Sequence, residues 1–308
     1  MSFEPVTCAH DQCCTFEPAS WNARYCPTHR CVRKAENDRK RLDEANLFDD
    51  PREFKTLNIR SAPDGYRVII INDTQRPFHD KRTLEAVEHF WDDLKPQLEV
   101  YNGDIADLYT ISDFNKNPSR RFTLADELAD TRGWLEARAE ANPDARRVFI
   151  EGNHEDRLRR WLWKNAELAG LPELALERLL GLEDVGAEVL PYMSVLDFLG
   201  FRIEHGFKTT ASKAYPTSVA RWMAHATASS GLCGHTHHFG IYSWTDAKGS
   251  HSYIENGCLC RKNLEYAPFP NWQSAFTYGI VQRNKVHLFP TQIYEDGFFA
   301  NGEFYPRR

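Results

Sequence analysis

Short apolar runs alternate with amphipathic stretches along most of the 308 residues. Between Tyr66 and Ile71 the chain is apolar and rich in isoleucine, and it turns polar at Asn72 and Asp73. A run this short predicts a buried strand. Leu84, Val87, Trp91 and Leu94 then recur at helical spacing, which predicts a helix over 81–95 with Asp80 as its N-cap and Pro96 as its stop. Residues 98–102 predict a second strand, ending at Gly103 and Asp104. From Phe122 to Asn142, Leu124, Leu128 and Leu135 share one helical face, with Pro143 beyond. Residues 147–150 predict a third strand that stops at Gly152, Asn153 and His154. Gly152 permits a sharp turn there because it has no Cβ.

Three strands joined by helical crossovers are βαβ units, hence a largely parallel, right-handed arrangement. Each strand ends in a residue with an oxygen donor: Asp73, Asp104 and Asn153. Ligands of open α/β sheets sit at the carboxyl ends of the strands, so the three ends point to one shared site. From Glu155 to Leu182 the pattern predicts a helix carrying Arg157, Arg159, Arg160, Trp161, Trp163 and Lys164. The second half predicts strands ending at His205-Gly206 and at Gly234-His235-Thr236-His237, with a helix from about Pro216 to Thr227 between them. Strands near 241–244, 252–254, 279–282 and 286–289 complete a second sheet, mixed or antiparallel. The aromatic C-terminal part, with Phe298, Phe299, Phe304 and Tyr305, is expected to pack back onto the domain. No internal repeat or low-complexity segment interrupts this order.

Composition narrows the class. Hydrophobic residues make up 42% and aromatics 13%, enough for a substantial core. The net charge of −6 gives no global field drawing the protein to nucleic acid, although local patches and cations reverse such a sign at a site. The N-terminus lacks a basic segment followed by an apolar one, and no run of about 18 apolar residues occurs. A cytoplasmic protein without a membrane span is therefore expected. Eight cysteines in such a chain argue for thiols or metal ligands rather than disulfides.

Five of the eight lie before residue 32. Cys8 and Cys13 form one pair, Cys26 and His29 another, with Cys14 and Cys31 as alternatives to Cys13 and His29. Two tight pairs of soft ligands suit a tetrahedral structural Zn²⁺. A segment this short needs the metal to fold. It resembles small Cys-x4-Cys…Cys-x2-His zinc modules of phage and bacterial DNA-associated proteins. The domain reading is a zinc module over 1–35, a charged helical linker over 36–63 and the main domain over 64–308.

Asp73, Asp104, Asn153, His205, His235 and His237 together form a carboxylate, amide and imidazole set suited to borderline divalent cations. Their order resembles the calcineurin-like metallophosphoesterases, whose motifs run D-x-H, G-D-x-x-D, G-N-H-[DE], a later histidine, and G-H-x-H. Here they read Asp73-Thr74-Gln75, Gly103-Asp104-Ile105-Ala106-Asp107, Gly152-Asn153-His154-Glu155, His205 and Gly234-His235-Thr236-His237. The resemblance implies a two-sheet α/β sandwich flanked by helices and two metals bridged by Asp104. Asp73, Asp104 and His237, with Gln75 at the remaining position, would hold the first. Asp104, Asn153, His205 and His235 would hold the second. Mn, Fe, Zn, Ni or Mg all fit. His154 would face the scissile phosphate and act on the leaving oxygen, while Asp107 supports the shell.

The implied reaction is in-line attack of a metal-bridging hydroxide on phosphorus, by two cations about 3.5–4 Å apart. Gln75 departs from the motif histidine and predicts a looser first site, biased toward Mn²⁺ or Mg²⁺. Protein phosphatases of this family carry arginines where Leu108 and Glu151 stand. Their loss favours a singly charged phosphodiester, in a nucleic acid or nucleotide, with Arg157, Arg120 and Arg121 as candidate substrate contacts. A phosphodiesterase or nuclease is the leading expectation. A phosphomonoesterase acting on a nucleotide or phosphoprotein is the runner-up, and a non-catalytic interaction scaffold the third. Cys258 and Cys260 are expected as two buried thiols.

Overall fold

Strand β4 (Arg67–Ile71) shows how the larger unit is layered. Its side chains alternate, as the period of a strand requires: Val68 and Ile70 enter one hydrophobic cluster, Ile69 and Ile71 another. The computed structural model describes residues 54–207, 215–262 and 270–308, with the backbone of two short strands before them. Those two, β1 (Val6–Thr7) and β2 (Thr15–Phe16), pair antiparallel. Cys8, Cys13, Cys26 and His29, and the charged helical linker up to Pro51, lie outside the described residues. The chain divides into Met1–Glu53 and Phe54–Arg308; the second unit is described by itself below.

The first sheet has the order β14-β13-β4-β5-β6-β7. Strands β4, β5 (Leu98–Asn102), β6 (Arg146–Ile150) and β7 (Ala187–Leu190) run parallel. Strands β13 (Ala275–Gln282) and β14 (Lys285–Gln292) add an antiparallel edge. The second sheet has the order β11-β12-β10-β9-β8-β3 and is mixed. It comprises β3 (Thr56–Ile59), β8 (Val195–Phe198), β9 (Phe201–Glu204), β10 (Gly231–Cys233), β11 (Phe239–Asp246) and β12 (Gly249–Asn256).

One cluster, joining Val68, Ile70, Val100 and Val148 to Leu196, Ile203, Leu232 and Ile254, brings the two sheets together. On the first sheet's other face, Ile69, Tyr101 and Phe149 pack with α1 (Lys81–Leu94) and α2 (Leu124–Ala141). On the second sheet's, Cys233 and Tyr253 pack with α5 (Ser218–Thr227). The result is the two-sheet α/β sandwich flanked by helices that the metallophosphoesterase resemblance implies. The C-terminal hairpin of β15 (Gly297–Ala300) and β16 (Glu303–Pro306) docks on α1, with Phe298 and Tyr305 against Phe90, while Phe299 and Phe304 stay exposed. No helix among the described residues is long and apolar enough to cross a membrane.

Helix α1 matches its expected bounds, with Asp80 accepting a hydrogen bond from the Thr83 amide. Helix α2 opens on a capping box between Thr123 and Asp126. Three expectations change. The strands expected near 279–282 and 286–289 in the second sheet are β13 and β14, which belong to the first, where β13 pairs with β4 and β14 with β13. The helix expected over 155–182 is α3 (Asp156–Lys164), a chain of turns, a short 3-10 turn at Pro172–Leu174 and α4 (Leu176–Leu179). Leu171 is extended before Pro172, as the proline ring demands of its predecessor. The linker over 36–63 is also too long, because Thr56–Ile59 is a strand that pairs in parallel with β8. The main unit therefore starts at Phe54 rather than Asp64.

Candidate metal centre

The carboxyl ends of five parallel-paired strands converge on one place. Asp73 follows β4, Asp104 follows β5, Asn153 follows β6, His205 follows β9, and His235 and His237 follow β10. Strands β4, β5 and β6 are neighbours in one sheet, β9 and β10 in the other. Asp73, Gln75, Asp104, His235 and His237 all have left-handed backbones, with φ between 49° and 68°. Non-glycine residues adopt that region at a cost, and such strain collects at functional sites. The glycines of the motifs make room for the donors. A Cβ on Gly152 would meet Asp104 Oδ1 at 2.2 Å. A Cβ on Gly103, itself at φ +79°, would meet His205 Nδ1 at 2.4 Å.

The side chains form two groups. In the first, His237 Nε2 lies 3.0 Å from Asp73 Oδ1 and 3.2 Å from the Gln75 side-chain nitrogen. Asp73 Oδ2 accepts from the Asn72 side chain and the His235 amide, whereas buried Oδ1 faces the His237 ring. A buried carboxylate is costly unless a cation meets it. In the second, ligand atoms of Asp104, His205 and His235 lie within 4.8 Å of one another. Asn153 Oδ1 joins them, 2.5 Å from His235 Nδ1 and 3.4 Å from His205 Nε2. His205 Nδ1 donates to the Asn102 carbonyl at 2.8 Å, which leaves Nε2 as the ligand atom facing Asp104 at 3.3 Å. Backbone bonds tie the groups together: Asp73 N donates to Gly103 O at 3.0 Å and Gln75 N to Asp104 O at 2.9 Å. The donor set fits two borderline divalent cations.

Protons compete with cations for these atoms. Burial opposes a charged His205 ring, but the Asp104 carboxylate outweighs it and holds the ring up at about 10. His237 behaves alike: burial opposes charge and Asp73 overcomes it, to about 9. Burial and the neighbouring His205 push His235 down to about 4.

His154 stands beside Asp104. Its Nε2 is 3.6 Å from Asp104 Oδ2 and 2.9 Å from the Arg157 guanidinium. Asp107 holds the pair, with Oδ1 accepting from Arg157 at 3.0 Å and Oδ2 3.4 Å from His154 Nδ1. Asp107 thus contacts both His154 and Arg157. Leu108 is fully buried in the core, and Glu151 is buried and accepts from Arg159 at 2.6 Å. Neither occupies an arginine clamp's role. The basic residues of α3 are mostly paired: Arg160 with Asp156 and Lys164 with Asp113. Arg157 and Arg120 line a cleft of about 640 Å³ beside His154, whereas Arg121 is exposed and not among the lining residues.

Cys258 and Cys260 are the two buried thiols expected, and they lie behind His237, whose Nδ1 is 3.8 Å from Cys260 Sγ.

Sequence reasoning missed Glu155. It stands where a helix-start carboxylate usually caps its own helix, but it turns back instead. Its carboxylate accepts from the amides of Asp104, Ile105, Ala106 and Gly152, at 2.8–2.9 Å. It thereby fixes the turns that carry Asp104 and Asn153.

Glu127 on α2 is also fully buried and accepts from the Thr110 amide at 2.9 Å. Burial pushes its carboxyl up to about 7 against the pull of that amide, with Asp107 adding to the push. The folded value lies above the ordinary 4.5, so this stabilising contribution is complete below about 4.5 and lost as pH rises through about 7. Glu127→Gln is expected to flatten that fall, measured as Tm at pH 5 and pH 8. An equal fall in both proteins would refute it.

A two-sheet sandwich with these donors at its strand ends is the arrangement that the sequence motifs imply. No family model matches the sequence. The gene 54 protein of Mycobacterium phage D29 is 30% identical over 237 residues, 71% of this chain and 91% of that protein. The chain belongs to the family of that gene 54 protein. Among solved structures, vacuolar protein sorting 29 from Cryptosporidium parvum is 14% identical with a TM-score of 0.42, over 79% of this chain and 100% of that one. A dimetal phosphatase from Danio rerio is 13% identical with a TM-score of 0.39, over 80% and 100%.

Proposed function

We propose that the protein is a two-metal phosphodiesterase acting on a nucleic acid or nucleotide. The observation that carries this is the meeting of Asp73, Gln75 and His237 with Asp104, Asn153, His205 and His235 at strand ends. When bound, the cations supply Lewis-acid charge at the phosphoryl oxygens and a nucleophile at neutral pH. The chain's own residues do the rest. Asp73 and Asp104 carry the negative charge that holds the pair. His205 is fixed by the Asn102 carbonyl and His237 is backed by Cys260, so their ligand atoms are preorganised. His154 stands outside the donor groups, where it meets the leaving oxygen and acts on its proton. Arg157, steered by Asp107, lies next to His154 and balances charge there.

Diester preference follows from the residues around the centre. With Leu108 in the core and Glu151 tied to Arg159, neither position supplies an arginine clamp for a dianionic monoester. Hydrolysis of bis(p-nitrophenyl) phosphate is therefore expected to exceed that of p-nitrophenyl phosphate in kcat/KM, measured in Mn²⁺ at neutral pH. A preference for the monoester would favour a phosphomonoesterase instead.

A further inference from the structure

We propose that the cleft beside His154 is a stacking subsite for a nucleobase, carried by a nucleoside on the leaving-group side of the diester. This rests on the phosphodiesterase reading and names its substrate more closely. The cleft is lined by Asn153, His154, Asp107 and Arg157 and by an aromatic and cationic wall of Phe78, Tyr109, Phe114 and Arg120.

That wall is built. Phe78, Tyr109 and Phe122 pack on one another with ring centroids 5.5–5.9 Å apart. The Arg120 guanidinium lies over two of these rings, 4.3 Å from the Phe78 centroid and 4.8 Å from that of Tyr109. A planar cation laid on aromatic rings is itself a surface on which bases stack. The Tyr109 hydroxyl accepts from the Asn117 amide at 2.5 Å, and Glu127 accepts from Thr110, so the segment that carries Tyr109 is tied to Asn117 and to α2. Phe114 differs from its neighbours: it is 71% exposed while Phe78 is 8% exposed. A ring serving only a local core would be covered. Ser112 and Asn115 at the rim offer hydrogen-bonding groups to a base edge. The volume of about 640 Å³ falls within the range of small-molecule sites.

A purely aliphatic leaving group would gain nothing from a flat cationic platform and would meet the polar rim unpaired. A base supplies both a π-face and a polar edge. Because His154 lines the same cleft, the nucleoside is placed on the side from which the leaving oxygen departs.

The test compares thymidylyl-thymidine with the 3′- and 5′-methyl phosphates of thymidine, all with Mn²⁺. The wild-type protein is expected to hydrolyse the dinucleotide, and the methyl ester that releases thymidine as its leaving group, roughly tenfold better in kcat/KM than the methyl ester that releases methanol, the scale of one stacked base. Phe114→Ala, at an exposed position, and separately Arg120→Gln, should bring that ratio close to one. Equal rates on all three esters, or a preference that survives both substitutions, would overturn the subsite while leaving the phosphodiesterase reading intact. Failure to hydrolyse any of these esters and bis(p-nitrophenyl) phosphate would overturn both.

Discussion

Asp104→Asn is expected to lower kcat on bis(p-nitrophenyl) phosphate by about 10³-fold or more, equivalent to about 4 kcal/mol of transition-state stabilisation. Every contact of this side chain argues for it. Oδ1 accepts from the His154 amide at 2.8 Å, and Oδ2 faces His205 Nε2 at 3.3 Å. Burial works against the charge, and the imidazoles of His154 and His205 overcome it, holding the carboxyl well below its usual range. An amide nitrogen in place of Oδ2 would point a donor at the ligand atoms. In place of Oδ1 it would oppose the His154 amide. The change is isosteric, so folding should survive and turnover should not. A loss under about tenfold would show that Asp104 is not central to the centre.

Glu155→Ala is expected to destabilise the protein by about 3 kcal/mol or more, a fall in Tm on the order of 10 °C. Four buried amides would lose their acceptor together: those of Asp104, Ile105, Ala106 and Gly152. Each unpaired buried amide costs about 1–3 kcal/mol, and the costs do not simply add. An offset exists, because burial and then the nearby Asp104 charge push the Glu155 carboxyl up to about 7, a sign that holding it ionised is itself unfavourable. Thermal denaturation measures the net. A Tm within about 2 °C of wild type would mean that the two turns do not depend on this carboxylate.

Much of this was legible in the sequence because strands of a parallel sheet are nearly all apolar and end abruptly. Strand β4 turns polar at Asn72 and β5 at Asn102, and each is followed by a donor. The ends of β6, β9 and β10 read the same way, so the donors were visible before the fold was. The short strands β3, β7 and β8 were not visible. Each has four residues with a mixed burial pattern, and their identity as strands comes from pairing with distant partners. The helix expected beyond Lys164 failed for the converse reason: helix-forming residues continued, but Pro172 imposed its own geometry. Glu155 escaped notice because three of its four partners lie about fifty residues upstream, in the turn after β5. The aromatic wall around Tyr109 was hidden in a segment that reads as an ordinary polar loop until Phe78 and Phe122 are brought to it.

The central claim is that two cations gathered by Asp73, Asp104, Asn153 and the three histidines drive diester hydrolysis. Titrating the chelator-treated protein with Mn²⁺, counting bound manganese separately from zinc while following bis(p-nitrophenyl) phosphate hydrolysis, tests it most directly. Activity should appear with bound Mn²⁺ and reach its maximum as the second equivalent fills. Full activity without bound metal, or no hydrolysis with two equivalents bound, would contradict it.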